Sequence, residues 1–530
     1  MSYRASTGAA LGLIFALLTV PVLAEEPRRG GTLTYAMFPE PSTLVNHNNT
    51  AQKIAGKITE GLLSYDYDLS PRPHLARAWT VSPDGLIYTF TLRDDVRWHD
   101  GKPFTSADVA FTIETFKQIH PRGRLAFAQV TEVRTPDPST AIVVLAKPAP
   151  YLLASLAGSQ IPILPRHVYE GSPIATNPAN AHPIGTGPFV FKEWVRGSHV
   201  VLERNTDYWD KGKPYIDRLV TRFIPDAGAR AAALESGEVD IAGDTPIAGP
   251  DLERLKSLPQ LGSETKGYEY SGVLSQVVLN LDTPALKDLR VRQALAAAID
   301  PRIVLNVAWY GYGELSPTVV IPAVKSFHDE AAKPYPIDLV RAEKLLDEAG
   351  LKRGSDGSRL ALRLTYSPFF DGNRRTAEYI RQALARIGVS AAIAPYDQAQ
   401  YVKTVYTDRA FDLSVEVVSN APDPAQGVQR FYWSKNFKPG VPFSNGSHYA
   451  NTDVDRLLEA GESETDPKKR REHYLAVQRQ IYTDIPVINL ISLKPVTIFK
   501  RTVRNHTVNA EGLNFNFADV YISEPAKNPK

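Results

Sequence analysis

Apolar and polar positions alternate along Leu360-Ala361-Leu362-Arg363-Leu364-Thr365-Tyr366, which predicts a strand with one face more buried than the other. Ala377, Ile380, Leu384 and Ile387 then recur at helical spacing, and Gly388 stands where a helix closes on a left-handed residue. Residues 389–394 read as a second strand, so the segment is a βαβ unit with a right-handed crossover. A third strand over 411–418 runs into Ser419-Asn420-Ala421-Pro422-Asp423-Pro424. In open α/β sheets ligands lie beyond the carboxyl ends of the strands, which makes the loops 367–373 and 419–433 the first site candidates. The alternative for such Pro- and Asp-rich loops is that they only turn the chain.

Elsewhere the same patterns predict further elements. Residues 31–36 read as a strand leading into a polar loop, 41–50, where Asn46-His47-Asn48-Asn49-Thr50 offers amides and an imidazole to a solute or to solvent. A helix is expected over 52–62. Tyr88, Phe90 and Leu92 line one face of a strand between the turns Ser82-Pro83-Asp84-Gly85 and Asp100-Gly101. Thr105 caps a helix with Asp108 at the third position, and Phe104 and Val109 form its staple. Val291, Ala294, Leu295, Ala298 and Ile299 make an apolar stripe, with Asp288 and Arg292 placed to pair. Asp338 caps a helix that ends at Gly350. A helix over 466–482 carries the stripe Tyr474, Val477 and Ile481, and Lys468-Lys469-Arg470-Arg471 reads as its solvated face. Residues 488–499 are strand-rich, and the tail after Glu524 reads as disordered.

A chain of 530 residues exceeds one ordinary core, so two or three domains are expected. Residues 1–24 combine Arg4, an apolar run too short for a comfortable membrane span, and Val22-Leu23-Ala24 before a cleavage point, which is the pattern of a signal peptide. The formal charge of +2 falls by one when Arg4 leaves, and nothing in that balance calls for nucleic acid. The absence of cysteine excludes disulfides, thiolate metal sites and a lipid-modified cysteine after the signal segment. A soluble periplasmic protein without a lipid anchor is therefore expected.

Catalysis finds little support. His99-Asp100 has no nucleophile or third partner in view, and neither a Gly-x-Ser-x-Gly elbow nor a His-Glu-x-x-His helix occurs. Gly185-Thr186-Gly187-Pro188 is too short for a phosphate loop and reads as a turn. Neither cofactor nor metal is expected, since no paired histidines or cysteines stand at ligand spacing.

Several motifs in order carry a family resemblance. Trp79-Thr80-Val81-Ser82-Pro83-Asp84-Gly85, Tyr88-Thr89-Phe90 and the run from Trp98 through Lys102-Pro103-Phe104-Thr105 to Val109 resemble the signature region of the family 5 extracellular solute-binding proteins of ABC transporters, the peptide, nickel and opine class. Gly185-Thr186-Gly187-Pro188-Phe189, Arg204-Asn205-Thr206-Asp207-Tyr208-Trp209, Leu234-Glu235-Ser236-Gly237-Glu238-Val239-Asp240 and the run Asp288–Asp300 are similar to later motifs of that family. The resemblance implies an α/β protein with the two-lobed periplasmic binding protein fold, mixed sheets, a discontinuous first domain and an inserted extra domain. Lobe I would comprise 25–62, 190–277 and 490–530 with the insertion 63–189, and lobe II 278–489, with hinge crossings near 277 and 490. A monomer is implied that closes on a small solute, a peptide, opine or saccharide, and presents it to an ABC permease in the inner membrane.

The ligand anchors depart from the family pattern. Where peptide-binding members place an aspartate for the amino terminus, matching on Asp423-Pro424 puts Asn420. Where dipeptide-binding members have an arginine and a tyrosine, Ser367 and Phe369 stand. Two readings stay open. A longer peptide can be held through its backbone with Asp423 or Glu269 serving the amine, or a different solute can be held by amides and by aromatic faces drawn from Trp309, Tyr310, Tyr312, Phe369, Phe370, Phe431, Tyr432 and Trp433. The candidate ligand residues are His47, Asn48, Asn49, Phe369, Asn420, Asp423, Phe431 and Trp433.

Overall fold

The computed structural model describes residues 26–48, 50–244, 247 and 249–524. The signal segment, Asn49 and the tail beyond Glu524 lie outside the described residues.

Three sheets organise the chain. A seven-stranded mixed sheet takes its strands from three separate stretches, in the spatial order Leu261–Glu264, Thr497–Lys500, Ile241–Ala242, Thr32–Met37, Arg218–Phe223, His199–Arg204 and Phe189–Val195. The first domain is thus discontinuous. A four-stranded antiparallel sheet, Ala76–Val81, Ile87–Leu92, Thr140–Leu145 and Val130–Asp137, forms the insertion with the helix Ser106–Ile119 against it. Tyr88, Phe90 and Leu92 face its core as their alternation predicts. The Asp108 carboxylate accepts from the Thr105 amide at 2.9 Å and also from the Arg166 amide at 2.9 Å, so one residue closes a helix end and pins a neighbouring loop.

The second lobe is a six-stranded sheet in the order Gly313–Leu315, Val487–Leu493, Val273–Leu279, Leu413–Ser419, Leu360–Tyr366 and Val389–Ala394. Leu360–Tyr366 pairs in parallel with both Val389–Ala394 and Leu413–Ser419, and the helix Asp371–Ala385 makes the crossover of the expected βαβ unit. Gly388 has φ +78°, a conformation that carries no penalty only for glycine. The central strand Val273–Leu279 runs antiparallel to its two neighbours, which makes this sheet mixed as well.

The two chain crossings between lobes lie at 265–272 and 494–496, rather than at 277 and 490. Val273–Leu279 and Val487–Leu493 lie wholly within the second sheet, paired along their length with one register shift between Ser275 and Gln276, and a pleated strand bonded on both sides cannot absorb a hinge rotation. The crossings are short single stretches.

Three local expectations are corrected. The helix over 52–62 is only Gln52–Ala55, because the carbonyls of Lys57 and Ile58 accept the amides of Phe189 and Gly187 at 3.2 and 2.9 Å. A Cβ on Gly185 would stand 1.8 Å from the Ile58 carbonyl, so the Gly-Thr-Gly turn is a close backbone approach. Asp288 pairs with Arg290 at 2.6 Å, while Arg292 turns inward and donates to the carbonyls of Leu286, Lys287 and Asp484. Finally, Lys468 and Lys469 are exposed as expected, but Arg470 is buried: it stands four residues before Tyr474 and continues the apolar stripe.

A buried carboxylate ties the first lobe together. Glu60 accepts Tyr208 Oη at 2.6 Å, Trp209 Nε1 and Thr186 Oγ1 at 3.0 Å and Asn516 Nδ2 at 3.1 Å, and it faces His74 Nε2 at 3.0 Å. Burial alone would raise its pKa, but His74 and these donors outweigh burial and hold it below the usual range. The Tyr208-Trp209 end of the middle motif is therefore a structural clamp.

Candidate functional site

The lobes are in contact. Gln426 Nε2 of lobe II donates to Ser155 Oγ of lobe I at 2.6 Å, Arg122 reaches Ser419 Oγ at 3.4 Å, and Lys256 donates to Tyr312 Oη at 2.7 Å. Between them lies a small pocket open to solvent. Arg122, Ser155 and Gln160 line it from the inserted domain, Tyr270 and Ser271 from the first crossing, and Ser419, Ala421, Pro422 and Gln426 from lobe II. The predicted position beyond the carboxyl end of Leu413–Ser419 thus faces the interlobe pocket.

Each wall is fixed by local chemistry. Ala421 sits at φ +52°, an uncommon conformation for a residue with a Cβ. The turn behind it is so close that a Cβ on Gly427 would stand 1.4 Å from the Asn420 carbonyl oxygen. Asn420 is buried, accepting the Ile321 amide at 3.0 Å and donating to the Val319 carbonyl at 2.7 Å. Its amide mimics a paired strand for a segment that has none. Tyr270 packs at a tilt against Tyr65 with ring centres 4.7 Å apart and donates to the Ala154 carbonyl at 2.8 Å, holding the crossing against the inserted domain.

The residues singled out from sequence fall in different places. Asp423 is buried in a two-pronged ion pair with Arg470, both contacts 2.7 Å, and also accepts the Ala425 amide at 2.9 Å. Phe431 belongs to the lobe II core. Trp433 packs on the edge of that core and donates Nε1 to Glu459 at 2.9 Å. Phe369 is exposed, 6.1 Å from the Phe443 ring. Asn48 accepts from Thr50 in a local turn. His47 is buried, and burial lowers its pKa. Its loop reaches the pocket indirectly: Asn46 donates to the Ser159 carbonyl at 2.8 Å, next to Gln160 and Ile161 of the wall. Glu269 accepts the Gly267 amide at 2.9 Å, and its pKa is raised by burial.

Arg122, Ser155, Gln160, Tyr270 and Gln426 were not marked by any pattern. Arg122, Ser155, Tyr270 and Gln426 owe their places to long-range contacts, and none of the five repeats at a motif spacing. His99 is occupied in the fold, with Nε2 facing the Gly187 carbonyl at 2.9 Å and Nδ1 accepting the Gly185 amide at 3.2 Å. Among the described residues no cluster of three or more metal-ligating side chains occurs, and no helix is long and apolar enough to cross a membrane.

His120 supports the Arg122 turn by accepting the amides of Arg122 and Gly123 on Nδ1 at 3.2 and 3.0 Å. Burial, and then the Arg122 charge, lowers its pKa from 6.5 to about 3. The unfolded chain binds this proton at higher pH than the folded one, so stability is expected to fall as pH drops from about 6.5 toward 3. The slope from this group is about 1.4 kcal/mol per pH unit within that window. Urea midpoints at pH 7, 6, 5 and 4 for the wild type and His120→Asn check this, the variant being expected to show the shallower decline.

Comparison with known proteins accords with this geometry. Residues 70–447 match the family described as bacterial extracellular solute-binding proteins, family 5 Middle. The chain is similar to a protein of Brucella ovis named as an ABC transporter peptide-binding protein, 31% identical over 78% of this chain and 77% of the relative. It is also similar to the glutathione-binding protein GsiB of Salmonella typhimurium, 27% identical over 97% of this chain and 98% of the relative. Among solved structures, NikA of Brucella suis in complex with Fe(III)-EDTA superposes with a TM-score of 0.82 at 25% identity, covering 93% of this chain and all of that one. These matches, together with two lobes joined by short crossings around a pocket, show that the chain belongs to the family 5 bacterial extracellular solute-binding proteins.

Proposed function

We propose that the chain is the periplasmic binding component of an ABC importer, exported by the segment 1–24, which takes a peptide or peptide-like solute into the interlobe pocket and hands it to the membrane permease. The observation that carries this reading is the pocket itself, walled by both lobes and by the crossing, so that a solute touching both walls favours the closed arrangement over the open one. Relatives named for a peptide and for glutathione support the peptide class. The chain acts as a monomer, and no bond of the solute is made or broken.

One observation favours a second solute class. Asn420 and Asp423 are both engaged inside the protein, so neither offers a free carboxylate to a peptide's amino terminus. Native mass spectrometry of mature protein purified without refolding separates the classes. A ladder of retained peptide masses is expected. A single retained non-peptide mass would replace the peptide reading with another solute. A protein that retains nothing, and whose scattering radius is unchanged by any peptide offered, would overturn the peptide reading.

A further inference from the structure

The lobes also meet on the side of the hinge away from the pocket. The two crossings enter the second sheet side by side, since Val273 pairs with Leu493, and the line through them separates the two faces of that sheet. On one face lies the core of Leu274, Val278, Val428 and Phe431, into which the pocket wall 419–426 continues. On the other lies the core of Val277, Leu279, Val304 and Ala308, and the helix that carries the last two, Pro301–Trp309, ends in Tyr310. Tyr310 therefore stands across the hinge line from Gln426 and the pocket.

What it meets there is lobe I. A Cβ on Gly249, the first residue of the helix Gly249–Lys256, would stand 2.4 Å from three atoms of the Tyr310 ring, so the ring rests on bare backbone with no room for a methyl group. Gly249, Glu253 and Lys256 recur at helical spacing on one face, beside the buried Leu252 and Leu255 that fix this helix to lobe I. Tyr312 Oη donates to Glu253 Oε1 and accepts from Lys256 Nζ, both at 2.7 Å, which keeps the two lobes in register at this flank. On the lobe II side the ring is held from behind. Arg375 donates to the Ala308 carbonyl at 3.0 and 3.2 Å, and its guanidinium lies 4.9 Å from the centre of the Tyr310 ring. Tyr310 also takes the left-handed conformation, φ +53°, at a helix end where glycine carries no penalty. What tyrosine adds at this position is the ring. Neither Tyr310, Tyr312 nor the helix Gly249–Lys256 lines the pocket.

We infer that the Tyr310 ring seated on Gly249 is a stop that limits how far the lobes open. A rotation about the crossings that widens the pocket narrows the gap on the opposite side of the hinge line, and that gap is already filled by ring against backbone. Atoms in contact resist further overlap, and packing supports both partners from behind, so neither gives way easily. The stop holds the resting protein close to its binding-competent arrangement and so raises the apparent affinity for any solute. This rests on the reading that a solute is enclosed by rotation of the lobes about the crossings.

The test places a spin label on each lobe of the mature protein, stripped of ligand, by Arg134→Cys in the inserted domain and Arg456→Cys in lobe II; both sites are exposed, and the chain has no cysteine of its own. Two substitutions at the contact carry opposite expectations. Tyr310→Gly removes the ring and suits the left-handed backbone, so the folded protein should open further and the interlobe distance lengthen. Gly249→Leu overfills the seat and should drive the lobes the other way, shortening the distance; Gly249→Ala serves if circular dichroism shows the leucine variant unfolded. An unchanged distance in Tyr310→Gly, or a shift of both variants in the same direction, overturns the stop. Mixed tripeptides of Ala, Leu, Ser and Phe, with bound fraction read by native mass spectrometry, give the second readout. Tyr310→Gly is expected to weaken every tripeptide that binds by one common factor, about three- to tenfold, because the ring acts on the population of the competent state and not on the solute. A factor that differs between tripeptides would make Tyr310 a solute contact and overturn the inference. Distances that move as stated while no tripeptide binds uphold the stop and overturn the peptide reading.

Discussion

Replacing Asp423 by alanine is expected to destabilise the protein by about 3–5 kcal/mol, because it leaves the Arg470 guanidinium buried without its charge partner. Both groups are enclosed, and the two 2.7 Å contacts form the two-pronged arrangement that holds a guanidinium and a carboxylate most firmly. Arg470 is further fixed by donating Nε to the Gly461 carbonyl at 2.8 Å, and its guanidinium lies 4.9 Å from the Phe327 ring centre. No water can replace the lost carboxylate at such a site without opening the packing of the helix Pro467–Asp484. Arg470→Ala is expected to be similarly severe, whereas the pair Asp423→Leu with Arg470→Met removes both charges and should recover much of the loss. Urea unfolding of the three variants gives the coupling energy directly. A solute affinity that falls in proportion to the folded fraction would mark Asp423 as part of the scaffold; a fall in a fully folded variant would mark it as a ligand contact.

Glu60→Ala is expected to cost at least about 4 kcal/mol, since each buried donor left unpaired costs roughly 1–3 kcal/mol. Four hydrogen bonds converge on this carboxylate from Thr186, Tyr208, Trp209 and Asn516, and His74 faces it. These residues come from separate parts of the chain, so the loss should appear as a lower urea midpoint for the whole protein. Glu60→Gln keeps the shape but can accept on one oxygen only, and an intermediate midpoint is expected. A wild-type midpoint for Glu60→Ala would show that water fills the site without penalty.

The βαβ unit could be read directly because every signal in it is local: alternation over seven residues, helical spacing, then Gly388 at a positive φ. The capping of Ser106–Ile119 was legible for the same reason. Misreadings arose where a distant partner decided the outcome. The helix expected over 52–62 lost its later turns to pairing with Gly187 and Phe189. Arg470 lies on the apolar stripe by spacing, yet its charge suggested solvent, and only Asp423, forty-seven residues earlier, explains its burial. Of the candidate site loops, 419–433 forms part of the pocket wall, through residues other than the conspicuous ones chosen in it. Asp423 and Phe431 are conspicuous because the fold needs them, whereas the pocket is lined by Ser419, Ala421, Pro422 and Gln426, which look ordinary in a sequence. Arg122 lies far from Ser419 in the chain, and only the folded protein brings the two together.

The composition of the seven-stranded sheet has a consequence for the order in which the chain can fold. Thr497–Lys500 is an interior strand, lying between Leu261–Glu264 and Ile241–Ala242, and among the described residues Leu261–Glu264 has no other strand neighbour. Lys57 is buried against the carbonyls of Leu513 and Phe515, and Glu60 against Asn516. Two buried charged residues from the early part of lobe I therefore have partners far along the chain. Lobe II, continuous between the crossings, has no such dependence and can complete its sheet first. A chain emerging from its amino terminus can pair Thr32–Met37 with Arg218–Phe223 early, but Lys57 and Glu60 wait for residues 513–516 and the seven-stranded sheet is completed only when Thr497–Lys500 arrives.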